Sequence, residues 1–300
     1  MDKIAVKVPA TTANLGPGFD CLGLALDLYS TVEVSLAPSF DMRLTGEDVG
    51  ELGLGRDNLV YRAFSALYQK AGATPPEVRM ACENRIPLRR GLGSSAAAIV
   101  GGLVAANFLL GEPLPQKEIL RLAVEMEGHP DNVAPALLGG CQVVVWDGGE
   151  LVTASIPLPA ELRVVLFIPS FEMATETARG ILSPRVSRKD AVYNIGRAAL
   201  LANALATGQW SYLRVATQDR LHQPRRRSLF PALDDIIEAA LESGALGAFL
   251  SGGGSAVAAL ASGQEAPIGW AMTEAAARAG VSGRILKAKP SLQGAYKVEI

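Results

Sequence analysis

Alternating apolar and polar positions in the first half of the chain predict strands, and apolar positions that repeat every three or four residues predict helices. The strands are expected at residues 4–8, 31–36, 77–83, 141–146 and 151–156. The helices are expected at residues 59–70, 96–110 and 119–126. Pro9 is expected to end the first strand, and Asp57 is a candidate N-cap for the first helix.

The second half begins after Pro157-Leu158-Pro159, a segment typical of a linker. A strand is expected at 162–168, then helices near 173–181, 189–206, 210–218 and 234–242. Strands at 247–250 and 256–261, a helix at 265–279 and strands near 284–288 and 295–299 follow. This order favours a ferredoxin-like α+β sandwich. We therefore expect two domains, residues 1–155 and 156–300.

A glycine- and serine-rich loop, residues 87–97, separates the strand at 77–83 from the apolar helix at 96–110. Free backbone N–H groups and the helix dipole favour an anion at such a helix start. The loop is not a Walker A motif, because no Gly-Lys-Ser/Thr follows the glycines. It matches the dinucleotide pattern loosely, but that pattern requires a strand directly before it. A phosphate cradle and a tight turn before a close-packed helix both fit the loop alone.

Two further loops concentrate polar side chains. Residues 9–20 contain Asn14 and Asp20, which suit the hydroxyl or ammonium group of a small substrate or, for Asn14, an Asx-turn. Residues 124–135 contain carboxylates, a histidine and an amide. Glu125 and Glu127 are two residues apart and therefore point to different faces of a helix. A carboxylate beside a triphosphate is suited to holding Mg²⁺.

The second half contains a second glycine loop, residues 251–255, and two basic regions. One region includes Arg179 and the other includes Arg226. Arginine suits bidentate binding of a carboxylate or phosphate, whereas a solvated basic turn is the simpler interpretation for the neighbouring arginines. Asn58, at the start of the helix at 59–70, is interpreted first as a plain helix cap.

Composition narrows the class of protein. The chain has 300 residues, 49% of them hydrophobic and 19% charged, which is typical of a globular enzyme. The net charge of −2 argues against a nucleic-acid-binding protein. Three separated cysteines predict reduced thiols in a cytoplasmic protein, and only two histidines argue against a zinc site. The most apolar run is too short for a membrane span, so no membrane association is expected.

The three loops and their order resemble the GHMP kinase superfamily, through Pro-x-x-x-Gly-Leu-Gly-Ser-Ser-Ala-Ala at 87–97. Residues 9–20 and 128–135 resemble the signatures of its homoserine kinase family. The resemblance covers nearly the whole chain. It implies a two-domain α+β fold, with a ribosomal-protein-S5-domain-2-like N-terminal domain and a ferredoxin-like C-terminal domain. It also implies ATP-dependent phosphorylation of the L-homoserine hydroxyl, a step of threonine biosynthesis, and it leaves a homodimer open.

The resemblance also implies roles for individual residues. The ATP phosphates are expected to contact Pro87, Leu88, Arg89, Arg90, Gly91, Leu92, Gly93, Ser94, Ser95, Ala96 and Ala97. Asn58 is expected to contact the adenine nucleotide, and Glu125 to hold Mg²⁺. Homoserine is expected to be surrounded by Asn14, Asp20, Asp131, Asn132, Arg179, Arg226 and Gly252. The candidates for the reaction itself are Asp131, Thr175 and Ser95.

Homoserine is a zwitterion with a hydroxyl group, so its site needs carboxylates for the ammonium and arginines for the carboxylate. Asp20 and Asp131 match the first need, and Arg179 and Arg226 the second. Asp131 is either a general base or a residue that orients substrate, and Thr175 is an alternative neighbour of the reacting hydroxyl. Two positions depart from the family pattern: Ser255-Ala256 replaces Pro-Thr, and Arg225 replaces Tyr.

Three rival hypotheses remain. Another GHMP kinase would act on mevalonate, a phosphorylated polyol or a sugar, which would leave the paired Asp and Arg residues unexplained. A sensor would bind nucleotide without transferring phosphate. The dinucleotide interpretation predicts binding of NAD.

Overall fold

The computed structural model describes residues 3–299 and contains two domains, each built on one sheet. The strands of the first half are β1 Lys3–Ala13, β2 Leu22–Leu36, β3 Asp41–Gly46, β4 Val78–Asn84, β5 Cys141–Asp147 and β6 Glu150–Ile156. The helices are α1 Leu59–Lys70, α2 Ser94–Leu109, α3 Gln116–Glu127 and α4 Pro130–Leu138.

The second half contains β7 Arg163–Pro169, α5 Thr175–Gly180, α6 Arg188–Thr207, α7 Leu213–Ala216, α8 Gln223–Arg226, α9 Leu233–Glu242, β8 Gly247–Leu250, β9 Val257–Ala261, α10 Glu265–Arg278, β10 Gly283–Ala288 and β11 Tyr296–Val298. Four of its strands form an antiparallel sheet in the order β10-β7-β9-β8. Helices α9 and α10 pack against this sheet. The expected α+β sandwich of ferredoxin-like type is therefore confirmed.

The first sheet has seven strands, in the order β11-β1-β2-β4-β3, with β5 and β6 continuing from β2. Among the strands of this sheet within residues 3–299, only β3 and β4 pair in parallel. Helix α2 is buried on nearly every side between this sheet and α1. A Cβ on Gly102 would overlap the carbonyl oxygen of Val60, so glycine is what allows α1 and α2 to pack this closely. Among residues 3–299, no helix has the length and hydropathy required to cross a bilayer.

Several sequence expectations need correction. Strand β1 does not end at Pro9 but continues to Ala13, with a shift of register between Pro9 and Ala10. The cap of α1 is Asn58 rather than Asp57. The helix expected at 210–218 is a 3₁₀ turn followed by one turn of α7. The sequence patterns did not predict strand β3 or helix α4. Helix α4 was missed because it contains Pro135 and begins directly after another helix.

The C-terminal strand crosses back to the first domain. β11 pairs with β1 and not with the sheet of the second domain. An isolated bridge between Leu26 and Pro290 precedes it. Strand β11 therefore completes the edge of the first sheet, whereas the division at 156–300 placed it in the second domain.

The two domains are joined through the glycine- and serine-rich loop. Nε and Nη2 of Arg90 donate to the carbonyl oxygens of Pro169 and Ser170, both at 2.9 Å. The carbonyl oxygen of Arg90 accepts from Ala256 N at 2.9 Å. Ser251 Oγ donates to the carbonyl oxygen of Gly91 at 2.6 Å. The loop that the sequence marked for phosphate binding is thus held in place by the second domain.

Gly91 and Gly72 provide a matched test of this junction. Both have φ near +70°, but a Cβ on Gly91 would overlap the carbonyl oxygen of Ser251, whereas a Cβ on Gly72 would meet nothing within 4 Å. Gly72→Ala should cost only the left-handed strain, about 1–2 kcal/mol. Gly91→Ala should cost about 1–3 kcal/mol more, because Ser251 must shift. Urea unfolding measures both, and equal losses would show that the junction is loose.

Candidate active site

A cavity of about 720 Å³ lies between the two domains. One wall consists of the start of α2 and the loop before it. The cavity is also lined by the loop after β1, the start of α4, helix α5 and the glycine loop after β8. This places the three polar loops of the sequence around a single space.

The start of α2 is the part of the cavity suited to an anion. Gly93 is the N-cap, has φ of 72° and makes no side-chain cap, so the first N–H groups of α2 receive no cap from a side chain. Of the residues expected to contact phosphate, those that line the cavity are Leu88, Arg89, Gly91, Leu92, Gly93, Ser94, Ser95 and Ala97. This arrangement suits an anion at the helix start.

Three residues of the expected phosphate loop lie elsewhere. Ala96 is fully buried beneath the helix start. Pro87 and Arg90 line a separate cleft at the domain boundary. The guanidinium of Arg90 is occupied by backbone carbonyl oxygens of the second domain, so we correct its role from phosphate ligand to interdomain contact.

Asn58 lines the cavity and also caps α1. Its Oδ1 accepts from Val60 N at 2.9 Å, and its Nδ2 donates to the carbonyl oxygen of Gly53 at 2.7 Å. Both ends of the amide are therefore engaged within the protein. The capping interpretation is confirmed, and any contact with a nucleotide would have to share these groups.

The carboxylate that faces the phosphate loop is Glu127, and the assignment of Glu125 needs correction. Ser95 Oγ donates to Glu127 Oε1 at 2.5 Å, and Glu127 lines the cavity. Glu125 instead pairs with Arg121 one turn earlier on α3, with 53% of its side chain exposed. Burial raises the pKa of Glu127, although the hydrogen bond from Ser95 opposes this shift.

Asp131 and Asn132 lie at the start of α4, and both are buried. Nδ1 of His129 donates to Asp131 Oδ1 at 3.0 Å. Asn132 Oδ1 accepts from Thr11 Oγ1 at 2.7 Å, which fixes the amide against β1. Burial lowers the pKa of His129, but the hydrogen bond and charge of Asp131 outweigh it and the net shift is upward.

Asn14 and Asp20 belong to the loop after β1, where both have positive φ. Asn14 Oδ1 accepts from Asp20 N at 3.0 Å, and Asn14 Nδ2 donates to the carbonyl oxygen of Gly252 at 2.9 Å. Asp20 and Arg179 form a two-pronged ion pair, with distances of 2.6 and 3.0 Å. The structure thus pairs two residues to which the sequence assigned opposite ends of a zwitterion.

Arg226 is fully buried, yet it lines the cavity. Its Nη1 donates to the carbonyl oxygen of Gly252 at 2.8 Å, and its Nε donates to that of Ala178 at 3.1 Å. Burial and the nearby charge of Arg179 lower the pKa of Arg226 to about 10, which leaves it charged at neutral pH. Thr175, at the start of α5, is exposed and lines the same cavity.

Sequence reasoning assigned the metal to Glu125 and left Glu127 as the alternative. It gave no role to His129 and His222, which the structure brings into or beside this site. The signal for Glu127 was present in its spacing from Glu125, but spacing alone does not tell which face of α3 meets the loop. His222 gave no signal, because its partners lie more than 200 residues away or on the same short helix.

Comparisons with known proteins agree with this arrangement. The model of the GHMP kinases N terminal domain matches residues 58–140, and that of the GHMP kinases C terminal matches residues 190–271. Homoserine kinase of Moorella thermoacetica is 44% identical over 293 residues, covering 98% of this chain and 99% of that protein. Homoserine kinase of Thermosynechococcus vestitus is 50% identical over 256 residues, covering 85% of each.

A solved structure is similar over the same length. The crystal structure of homoserine kinase from Cytophaga hutchinsonii has a TM-score of 0.90 and 32% identity, and covers 99% of this chain and 98% of that one. The similarity therefore extends over both domains and the cavity between them.

The half-buried carboxyl group of Glu127 should make stability depend on pH. Because its pKa is raised on folding, the folded state holds the proton more tightly, and stability is lost as the pH rises above the usual value of 4.5. Glu127→Gln should therefore stabilise the ligand-free protein at pH 7 relative to pH 4. Urea unfolding at both pH values measures this, with Glu125→Gln as the control. A difference from the parent protein that is identical at both pH values would contradict this account.

Proposed function

This chain belongs to the homoserine kinase family of the GHMP kinases, and from that premise we propose that it transfers the γ-phosphoryl group of ATP to the hydroxyl of L-homoserine. The products are O-phospho-L-homoserine and ADP. This reaction is a step of threonine biosynthesis. One observation supports this most strongly. A helix start suited to phosphates and a set of carboxylates and arginines suited to an amino-acid zwitterion border one cavity.

The zwitterion would be held by groups from both domains. Arg226 offers a charged guanidinium that the protein fixes through Gly252 and Ala178. Arg179 lines the cavity and is tied to Asp20, and among the residues that the structure describes its buried Nε has no hydrogen-bond partner. Asp20 and Asp131 supply negative charge for the ammonium, while Asn14 holds the loop in position.

Phosphoryl transfer depends mainly on positioning and on neutralising charge. Glu127 and Ser95 are hard oxygen donors in contact with each other beside the start of α2, and they fit Mg²⁺. Within residues 3–299, no cluster of three or more His, Cys, Asp or Glu side chains is arranged to hold a metal, so phosphate oxygens would complete the coordination. When bound, Mg²⁺ would neutralise phosphate charge.

Asp131 is the candidate to accept the hydroxyl proton or to orient the hydroxyl. Its Oδ1 already accepts from His129 and Asn132, which holds the carboxylate in place and favours the orienting role. Thr175, which lines the same cavity, is the alternative neighbour of the hydroxyl. Cytoplasmic location and a homodimer stay predictions.

A substrate panel with coupled detection of ADP tests the proposal. We expect turnover with L-homoserine and little with mevalonate or galactose, because these lack the zwitterion that the charged wall requires. Turnover of mevalonate or galactose with none on homoserine would contradict the proposal. Binding of ATP and homoserine without release of ADP would identify a sensor instead.

Asp20→Ala should raise the KM for homoserine about 10- to 100-fold while leaving the KM for ATP nearly unchanged. The loss of a charged hydrogen bond costs about 1.5–3 kcal/mol, and Asp20 holds Arg179, which lines the cavity. Steady-state kinetics with each substrate varied measures the effect. Asp147→Ala, at the exposed end of β5, is the control. Equal changes in both KM values would refute the role of Asp20.

A further inference from the structure

We infer that His222 is a positioning residue whose neutral imidazole aims Arg226 at the substrate and locks the loop after β1 against the second domain. The inference rests on the proposed function for its kinetic consequence, since Arg226 is assigned to the homoserine carboxylate. Its structural part stands on contacts alone.

The two ring nitrogens of His222 have partners of opposite kind. Nε2 lies 2.8 Å from the carbonyl oxygen of Gly16, which only accepts. Nδ1 lies 2.8 Å from Nη1 of Arg226, which only donates. These partners require one form of the ring, with the proton on Nε2 and a free lone pair on Nδ1. A protonated ring would lose the bond to Arg226 and bring two positive charges together.

The surroundings favour this neutral form. His222 is fully buried. Burial lowers its pKa to about 4; the charge of Asp219 opposes the shift and that of Arg226 adds to it, with a small opposing effect of Asp20. Asp219 lies 3.6 Å from Nε2, but its Oδ2 already accepts from the backbone N–H groups of His222 and Gln223. The carboxylate is therefore committed to the start of α8.

His222 also links the groups that surround the substrate side. Its ring stacks on Phe19, with centroids 5.4 Å apart. The guanidinium groups of Arg179 and Arg226 lie 5.5 and 5.7 Å from the centroid of the same Phe19 ring. Gly16 belongs to the loop that carries Asn14 and Asp20. One imidazole thus connects that loop to Arg226, and through Arg226 to Gly252.

A purely structural histidine and a positioning histidine predict different kinetics. Loss of a core residue lowers stability and impairs both substrates together. Loss of a positioning residue frees Arg226 while leaving the start of α2 in place, so the effect should fall on homoserine alone. Two variants separate the bond to Arg226 from the other contacts. His222→Phe retains a ring of similar size and its stacking but removes both nitrogens. His222→Asn places an amide oxygen near the position of Nδ1.

We expect His222→Phe to raise the KM for homoserine about 10-fold or more, with the KM for ATP within two-fold of the parent protein. His222→Asn should restore the KM for homoserine to within about three-fold, since it again accepts from Arg226. The inference is overturned if His222→Phe leaves the homoserine KM unchanged, if it raises both KM values equally, or if His222→Asn is as impaired as His222→Phe.

A measurement on the unaltered protein keeps the test open should His222→Phe fail to fold. ¹⁵N NMR of the imidazole, without substrate, should show the neutral form with the proton on Nε2 from pH 6 to 8. An imidazolium at pH 7, or the opposite tautomer, would overturn the inference. This readout does not depend on which substrate is used. Absence of homoserine turnover by the parent protein would therefore refute the proposed function and leave the tautomer as a separate result.

Discussion

The carbonyl group of Gly252 is the contact on which the site depends. It accepts from Asn14 Nδ2 and from Arg226 Nη1, while the N–H of the same residue donates to the carbonyl oxygen of Ala13. Next to it, Ser251 Oγ donates to the carbonyl oxygen of Gly91 and lies 2.8 Å from the hydroxyl oxygen of Thr12. The short glycine loop at residues 251–255 thus holds three parts of the site in position: the loop after β1 that carries Asn14, Arg226, and the loop at residues 87–97. Bulkier residues do not fit this junction, since a Cβ on Gly91 would overlap Ser251.

Charge is concentrated around this junction in a way that a stability requirement alone does not explain. Burial raises the pKa of the Glu127 carboxyl group. Burial also lowers the pKa of the Arg226 guanidinium to about 10. Such groups cost free energy of folding unless a ligand or metal compensates them. By contrast, Asp20 pairs with Arg179 and Asp131 pairs with His129 within the protein. The cavity is therefore already arranged for a ligand that carries both signs of charge and phosphate.

The sequence predicted most of this arrangement where local patterns carry the information. Residues 87–97, Asn14, Asp131 and Arg179 were assigned from motif and chemistry, and the structure places all of them at one cavity or its rim, apart from Pro87, Arg90 and Ala96. The order of strands and helices was enough for the ferredoxin-like domain. Sequence patterns did not predict features that depend on contacts between residues far apart in the chain. The choice of Glu127 over Glu125 depends on how α3 rotates against α2, and the pairing of β11 with β1 depends on contacts almost 300 residues apart.

The central claim is that the start of α2 and the charged wall hold ATP and homoserine side by side. A crystal structure with L-homoserine, Mg²⁺ and a non-hydrolysable ATP analogue tests it most directly. We predict the terminal phosphate at the first N–H groups of α2, the homoserine carboxylate on Arg226, and the hydroxyl oxygen about 3–3.5 Å from the terminal phosphorus. Homoserine bound outside this cavity, or with its hydroxyl turned away from the phosphate, would contradict the account.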